Sequence, residues 1–254
     1  MIPKKIHYCW FGRKPLPELA LNCIASWKKF LPDYEIIEWN ENNFDVNQTL
    51  YTEQAYKCGK FAFVSDYARF KIIYEQGGIY FDTDVEVIRP LDDIIAKGPF
   101  FGLEENFSAH FFRKKICCAP GLGFACPPKH IICSSMINLY KSKSFIKKNG
   151  KKNLNTVVQF FSEILLKNGL KPHPGIIQFN DIYIYPPEYF CPINYETREK
   201  LITKNTRTIH HYAASWVNPN EDLSLIAKIW NFFHLPHTNF SRKFKHFLRP
   251  NKTL

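Results

Sequence analysis

The mostly apolar run KIHYCWF, residues 5 to 11, ends at Gly12 ahead of the loop KPLP and predicts a short first strand. Leu19, Ala20, Cys23, Ile24, Trp27, Phe30 and Leu31 then recur at helical spacing up to Pro32. EIIEW, residues 35 to 39, predicts a second strand, and the polar NENNFDVN after it a loop. From Phe61, FAFVSDYARFKIIYEQGG has a helical pattern with Gly77 as its C-cap, and IYFDTDVEVI, residues 79 to 88, is rich in strand formers but interrupted by Asp82 and Asp84. PFFGLEE, GLGFACPP, DIYIYPP and TRTIHHYAASW predict further strands, and KHIICSSMINLY and NLNTVVQFFSEILLKNG amphipathic helices. Strands alternating with helices define an α/β fold, a central sheet flanked by helices, and such sheets bind ligands at the carboxyl ends of their strands. Asp82 falls at one of those ends.

The 254 residues are 45% hydrophobic and 22% charged, enough for one sizeable core and outside the disordered range. The expected organisation is a single domain over residues 1 to 235 and a basic aromatic tail over 236 to 254. A net charge of +11 invites polyanionic partners. Lys141, Lys143, Lys147, Lys148, Lys151 and Lys152 form an acid-free cluster that reads equally as a solvated loop. Eight cysteines show neither CxxC pairs nor zinc spacing, and MIPKKIHYCW turns polar too soon for a secretory signal, so reduced thiols in the cytoplasm are expected.

Chemistry enters with the acids. Two carboxylates one residue apart at a strand end suit Mg2+ or Mn2+, which prefer oxygen ligands and keep positions for phosphate oxygens; an ordinary exposed turn gives the same tripeptide. Asp66 and Arg69, three apart on a helix, share a face. They read either as a surface ion pair of little energetic weight or as a pair in which Asp66 accepts from sugar hydroxyls and Arg69 binds phosphate or sugar oxygens. Trp10 is either a core residue or, at a ligand-binding strand end, a platform for a flat base, with Gly12 admitting the backbone close to the ligand. In HHYAASW a histidine would complete a metal shell, with Ser215 and Trp216 beside a leaving phosphate; the alternative is a buried aromatic corner.

IPKKIHYCWFG, SWKKFLPDYEIIEWNE, FAFVSDYARFKIIYEQGGIYFDTDVEVIRPLDD and HHYAASW, in this order, resemble the glycosyltransferase sugar-binding family that contains a DxD motif. That family spans polysaccharide glycosyltransferases, fungal α-1,6-mannosyltransferases and, more distantly, the large glucosylating toxins. The likeness is dense over residues 2 to 95, thin over 100 to 205, and returns at 208 to 216. It implies a GT-A (Rossmann-like) fold with a mixed sheet, a nucleotide-sugar donor, Mn2+ or Mg2+, and retention of anomeric configuration. Position by position, Trp10 matches the base-stacking tryptophan, and Asp66 and Arg69 the sugar- and phosphate-contacting pair. Asp82 matches the first DxD acid, near the ribose and the metal's water shell, and Asp84 the direct metal ligand. Ser215 and Trp216 match a segment closing on the diphosphate. His211 is the expected further metal ligand, with His210 as the alternative. The family usually writes HHWAGSW, so Tyr212 and Ala214 are departures.

These readings make the chain a metal-dependent hexosyltransferase using a UDP-sugar in preference to a GDP-sugar. The expected acceptor is a surface glycan, free or lipid-linked, met at the cytoplasmic face of a membrane. Phenylalanines among Lys and Arg in the tail read equally as contact with anionic lipid or as a disordered basic end. A nucleotide-sugar hydrolase or phosphodiesterase is the alternative. A nucleic-acid-binding module ranks below both, because the basic clusters lack a helix-turn-helix, zinc or RNP pattern and the acids sit at the ligand end of the predicted sheet.

Overall fold

The computed structural model describes residues 1–104, 116–194 and 199–213, all within the first of two units, Met1–Trp216 and Val217–Leu254. In chain order come β1 (Lys5–Cys9), α1 (Glu18–Phe30), β2 (Glu35–Trp39), α2 (Leu50–Lys57), α3 (Phe61–Gln76), β3 (Gly78–Tyr80), β4 (Val85–Val87) and α4 (Asp92–Ile95). They are followed by β5 (Phe100–Gly102), a 3-10 turn at Pro120–Leu122, β6 (Phe124–Cys126), α5 (Ile131–Lys141) and α6 (Val157–Lys167). β7 (Ile177–Phe179), β8 (Ile182–Tyr185), α7 (Pro187–Phe190) and β9 (Thr208–His210) complete the described chain.

Seven strands form one sheet in the order β2-β1-β3-β6-β5-β8-β7. β1 is parallel to both β2 and β3, β6 runs antiparallel to β3 and β5, and β8 is parallel to β5 but antiparallel to β7. The architecture is therefore α/β with a mixed central sheet flanked by helices, as the sequence led one to expect. The parallel register His7↔Tyr80 brings the carboxyl ends of β1 and β3 to the same edge, so the residues after Cys9 and after Tyr80 are neighbours.

In α3 the residues Phe63 to Phe70 are buried without a break, Asp66 and Arg69 included, as befits a helix inside the molecule rather than on its surface. It stops where Gly77 takes φ +65°, a conformation costly for any residue with a Cβ. The core beneath the site is aromatic: Trp27 of α1 is fully buried, 5.4 Å from the ring of Phe81 and 5.7 Å from that of Tyr8.

Two stretches gain detail. IYFDTDVEVI, read as interrupted by its acids, divides between two sheets: its first half belongs to the main sheet, and its second half, β4, pairs with β9 in a separate two-stranded sheet. The chain leaves the main sheet at the acids, since the turn from Asp82 to Val85 is closed by the Val85 N–H donating to the Asp82 carbonyl. The strand read over residues 206 to 216 is confined to Thr208–His210 among the described residues. The lysine cluster is an exposed loop at the end of α5, bridged between Ile146 and Lys152. All eight cysteines are free thiols. The expected boundary at residue 235 and the basic tail lie outside the described residues.

Candidate active site

Burial and backbone bonds fix the DxD turn from both sides. Ile79 and Phe81 are sealed in the core, which leaves Asp82 at the end of β3. From α1, the Trp27 indole donates to the Val85 carbonyl (2.7 Å) and the Ser26 hydroxyl accepts from the Val87 N–H (2.9 Å). From the 3-10 turn, the Gly121 carbonyl accepts the Asp82 N–H at 3.1 Å. Gly121 has no room for a side chain, because a Cβ there would lie 2.1 Å from Asp82 Oδ2.

Asp66 and Arg69 are not a surface pair. Their side chains are only 11% and 4% exposed, and Arg69 Nη2 lies 3.0 Å from Asp66 Oδ1 and 3.3 Å from Asp82 Oδ1. Arg69 Nε donates to the Ser65 carbonyl at 3.1 Å, and the guanidinium sits 5.0 Å over the Tyr80 ring, whose hydroxyl donates to Asp82 Oδ1 at 3.0 Å. Burial pushes the Asp66 carboxyl up to about 7, against the pull of Arg69 and of the Val157 N–H at the start of α6. Burial likewise raises Asp82, with Arg69 opposing it. Arg69 resists its own desolvation because Asp82 and Asp66 hold it charged. One cation thus ties a carboxylate of α3 to one in the turn after β3.

Asp84 belongs to a second pair. Register Val85↔His210 in the small sheet sets β9 beside it, and His210 Nε2 lies 3.3 Å from Asp84 Oδ1. The Ala213 N–H donates to Asp84 Oδ2 at 2.8 Å, and the His211 N–H to the Asp84 carbonyl at 3.0 Å. Burial would raise the Asp84 carboxyl, but His210 and the Ala213 N–H outweigh it and hold it near 2. Burial favours a neutral His210, yet Asp84 lifts it well above its usual value. His211, expected to join Asp84, places its Nε2 2.9 Å from Glu86 Oε2 instead; the alternative, His210, is the ring that meets Asp84.

Trp10 follows β1 at the same edge of the sheet. It is half-buried, packs against the core, and donates its indole N–H to the Lys14 carbonyl at 2.6 Å. Gly12 has φ +96° and faces the Phe61 ring, 2.4 Å from where its Cβ would be, while its N–H donates to Glu41 at 2.7 Å. Its lack of a side chain therefore serves packing against the start of α3. Ser215 and Trp216 lie outside the described residues.

Among the described residues no three His, Cys, Asp or Glu side chains are gathered into a closed ion cage. What the turn offers is an open pair of carboxylates, with side-chain exposures of 30% for Asp82 and 15% for Asp84 and an imidazole at their side. That donor set fits a hard divalent cation that keeps several positions for water or phosphate oxygens.

Three contributors were not legible as site residues. Tyr80 had a signal, since residues two apart on a strand face the same way and Tyr80 therefore shares the side of Asp82. Gly121 and Cys191 had none: the first acts through backbone approach, and the second is buried within reach of the His210 ring.

Residues 17–101 match the family described as glycosyltransferase sugar-binding region containing DXD motif. Inositol phosphoceramide mannosyltransferase 1 of Schizosaccharomyces pombe is 28% identical over 110 residues, covering 39% of this chain and 33% of that protein. Inositol phosphoceramide mannosyltransferase 3 of the same yeast is 30% identical over 102 residues, covering 37% and 27%. The chain spans a third or less of the length of these curated relatives. Among solved structures, a PaToxG glycosyltransferase aligns over 66% of this chain and 70% of its own, with 20% identity and a TM-score of 0.49. The matched region contains Asp66, Arg69, Asp82 and Asp84, four residues that the fold draws to one edge of the sheet. Residues 17–101 are thus similar to a glycosyltransferase sugar-binding region, and that stretch includes the tripeptide Asp82-Thr83-Asp84.

Proposed function

We propose that the protein is a glycosyltransferase that moves a hexose from a nucleotide diphosphate sugar to a glycan acceptor. The observation that carries this reading is the buried Asp66–Arg69–Asp82 cluster set beside the Asp84–His210 pair. A structural ion pair needs one acid per base, whereas here an open-faced excess of carboxylates sits at the ligand end of a parallel pair of strands.

Asp82 and Asp84 would hold Mn2+ or Mg2+, with His210 as the adjacent imidazole in preference to His211. When bound, the cation supplies Lewis-acid neutralisation of the diphosphate. Arg69, kept charged and rigid, orients the donor from the α3 side, and Asp66 beside it accepts hydroxyl hydrogen bonds from the sugar. Trp10, at the end of β1, is the stacking surface for the base, and Ser215 and Trp216 close on the diphosphate. With Asp66, Arg69, Asp82 and Asp84 held before the donor arrives, the contribution of the chain is positioning and electrostatics, in keeping with transfer that retains configuration.

A UDP-sugar is the favoured donor because Trp10 resembles the base-stacking tryptophan of the toxin branch. The two yeast relatives are named for mannosyl transfer, which places GDP-mannose in the same test. The proposed acceptor is a surface glycan of the capsular, exopolysaccharide or lipopolysaccharide kind, met at the cytoplasmic face of a membrane. Among the described residues no helix is long and apolar enough to cross one, so contact through the basic tail is the mode proposed.

A thermal-shift panel of UDP- and GDP-sugars with Mn2+ tests the donor, because the true donor stabilises the fold by mass action. A panel in which no nucleotide sugar raises the melting temperature contradicts the proposal. Release of free sugar at a rate indifferent to any glycan acceptor would replace transfer by hydrolysis.

A further inference from the structure

We propose that Cys191 and Tyr212 form a buckle that fastens the segment 210–213 onto Asp84 and fixes the His210 ring, which makes both of them positioning residues. The inference rests on the reading of Asp84 as a cation ligand.

Cys191 Sγ and Tyr212 Oη are 2.8 Å apart, and the thiol is buried. Tyr212 has φ +53°, a sparsely populated conformation for a residue with a side chain, and such a backbone persists only where surrounding contacts over-determine it. Two contacts do so. The hydroxyl meets the thiol, and the ring packs edge-on against His210 with centroids 4.4 Å apart. The bend at Tyr212 lies between the two backbone groups that bind Asp84, the N–H of His211 and the N–H of Ala213.

The sulfur also answers a need of His210. That ring spends Nε2 on Asp84, while its buried Nδ1 has no conventional hydrogen-bond partner. The Cys191 thiol lies in range of the ring and is both a weak donor and a weak acceptor. A thiol beside the ring can accept from it or donate to it, so it helps to hold the ring in its orientation. Cys191 is itself well anchored. Its N–H donates to the Pro187 carbonyl at 2.7 Å, and the carbonyl of the preceding Phe190 accepts from the Thr208 hydroxyl at 3.1 Å.

The sequence Asp84, His210, Cys191 has the order of a nucleophilic triad, but the geometry does not support that role. The thiol is sealed from solvent, and burial raises it away from the thiolate form. Tyrosine at position 212 is a departure from the tryptophan usual in the family that this chain resembles, and its hydroxyl is the group that reaches the sulfur.

The test uses the full chain and two readouts: Mn2+ binding by electron paramagnetic resonance, and hydrogen exchange at the Ala213 amide. Cys191→Ala and Tyr212→Phe are each expected to weaken Mn2+ binding about tenfold, as loss of outer-shell partners does, and to speed exchange at Ala213. The double variant should lose no more than either single one. Cys191→Ser, which restores a donor and acceptor, should bind within about threefold of wild type. Wild-type behaviour in both single variants, or losses that simply add, overturns the buckle. If Cys191→Ala does not fold, Tyr212→Phe, which removes one oxygen, decides the matter alone. Equal Mn2+ binding by wild type and Asp84→Asn instead defeats the cation reading, and exchange at Ala213 then still judges the buckle.

Discussion

Arg69 Nη2 stands 3.3 Å from Asp82 Oδ1 while holding Asp66 at 3.0 Å, so a helix residue couples its own neighbour to the strand end that carries the DxD motif. The guanidinium is nearly inaccessible, and both acids depend on it. Removing it by Arg69→Met leaves two buried or half-buried carboxylates without a cation, and breaking such a pair costs about 3–5 kcal/mol. The expected result is a large fall in urea midpoint together with loss of donor binding. Arg69→Lys keeps the charge but loses the fork, and should recover part of the stability and little of the binding. Equal midpoints for wild type and Arg69→Met would show that the cluster is not under the strain its burial implies.

Asp84→Asn separates charge from shape. The amide oxygen of asparagine can still accept the Ala213 N–H that Asp84 accepts at 2.8 Å, so that tie to the loop is kept while the charge beside His210 is lost. On the proposed reading, what is lost is the charge that would hold the cation, and turnover is expected to fall at least about a hundredfold. The far-UV spectrum should be unchanged. Near wild-type turnover would remove Asp84 from the site.

The helix α3 was legible because its apolar residues recur along it and it stops at a glycine, and the three-residue spacing of Asp66 and Arg69 already put them on one face. Their burial was not legible, since it depends on Asp82 arriving from another element. Which histidine meets Asp84 was closed to sequence reasoning for a related cause. Neighbours on a strand point to opposite sides, and the side is set by the register Val85↔His210, which no local pattern encodes. α2 was missed because its capping box is Thr49 with Thr52, where the recognisable signature has an acid or amide at the second position. The division of IYFDTDVEVI between two sheets was hidden because β4 and β3 have the same apolar, β-branched character and only their partners differ.

Gly121→Ala probes the approach of the 3-10 turn to the motif. Gly121 does not take a positive φ, so alanine brings no backbone strain there; its effect comes from a methyl group 2.1 Å from Asp82 Oδ2. Asp82 must swing away, and with it one of the two acids on Arg69. Turnover should drop by about tenfold or more, with the loss in kcat rather than in folding, since misplacement by an ångström is costly to catalysis. Gly123→Ala is the contrast: at φ +123°, with a Cβ 2.7 Å from the Phe81 ring, it should lower the melting temperature first. If Gly121→Ala left kcat intact, the turn would be a bystander.

His7 gives the fold a pH dependence that can be isolated. The Trp39 indole N–H donates to Nδ1 at 3.0 Å, so Nδ1 must be a lone pair, and Nε2–H then donates to the Gly77 carbonyl at 3.0 Å. A second proton has no place: Nδ1–H would face the indole N–H. Burial lowers the ring from 6.5 to about 4, with the Gly77 bond opposing and Lys5 assisting. Below pH 6.5 the unfolded chain takes up a proton that the folded chain refuses, so this contribution is complete above pH 6.5 and is lost as pH falls toward 4. Its full size is about 3 kcal/mol. Asp66 acts in the opposite sense: raised to about 7, it binds a proton in the folded state that the unfolded chain releases, and this favours folding as pH falls. The wild-type curve mixes these with the other shifted groups, Asp82 and His210 among them, so the difference between wild type and His7→Gln is the informative quantity. Glutamine keeps an acceptor and a donor on an uncharged side chain, so from pH 7 to pH 4.5 the urea-derived stability of the variant should fall less than that of wild type, by about 2–3 kcal/mol. Parallel curves would mean that His7 titrates alike in both states and that the Trp39–His7–Gly77 chain does not fix its tautomer.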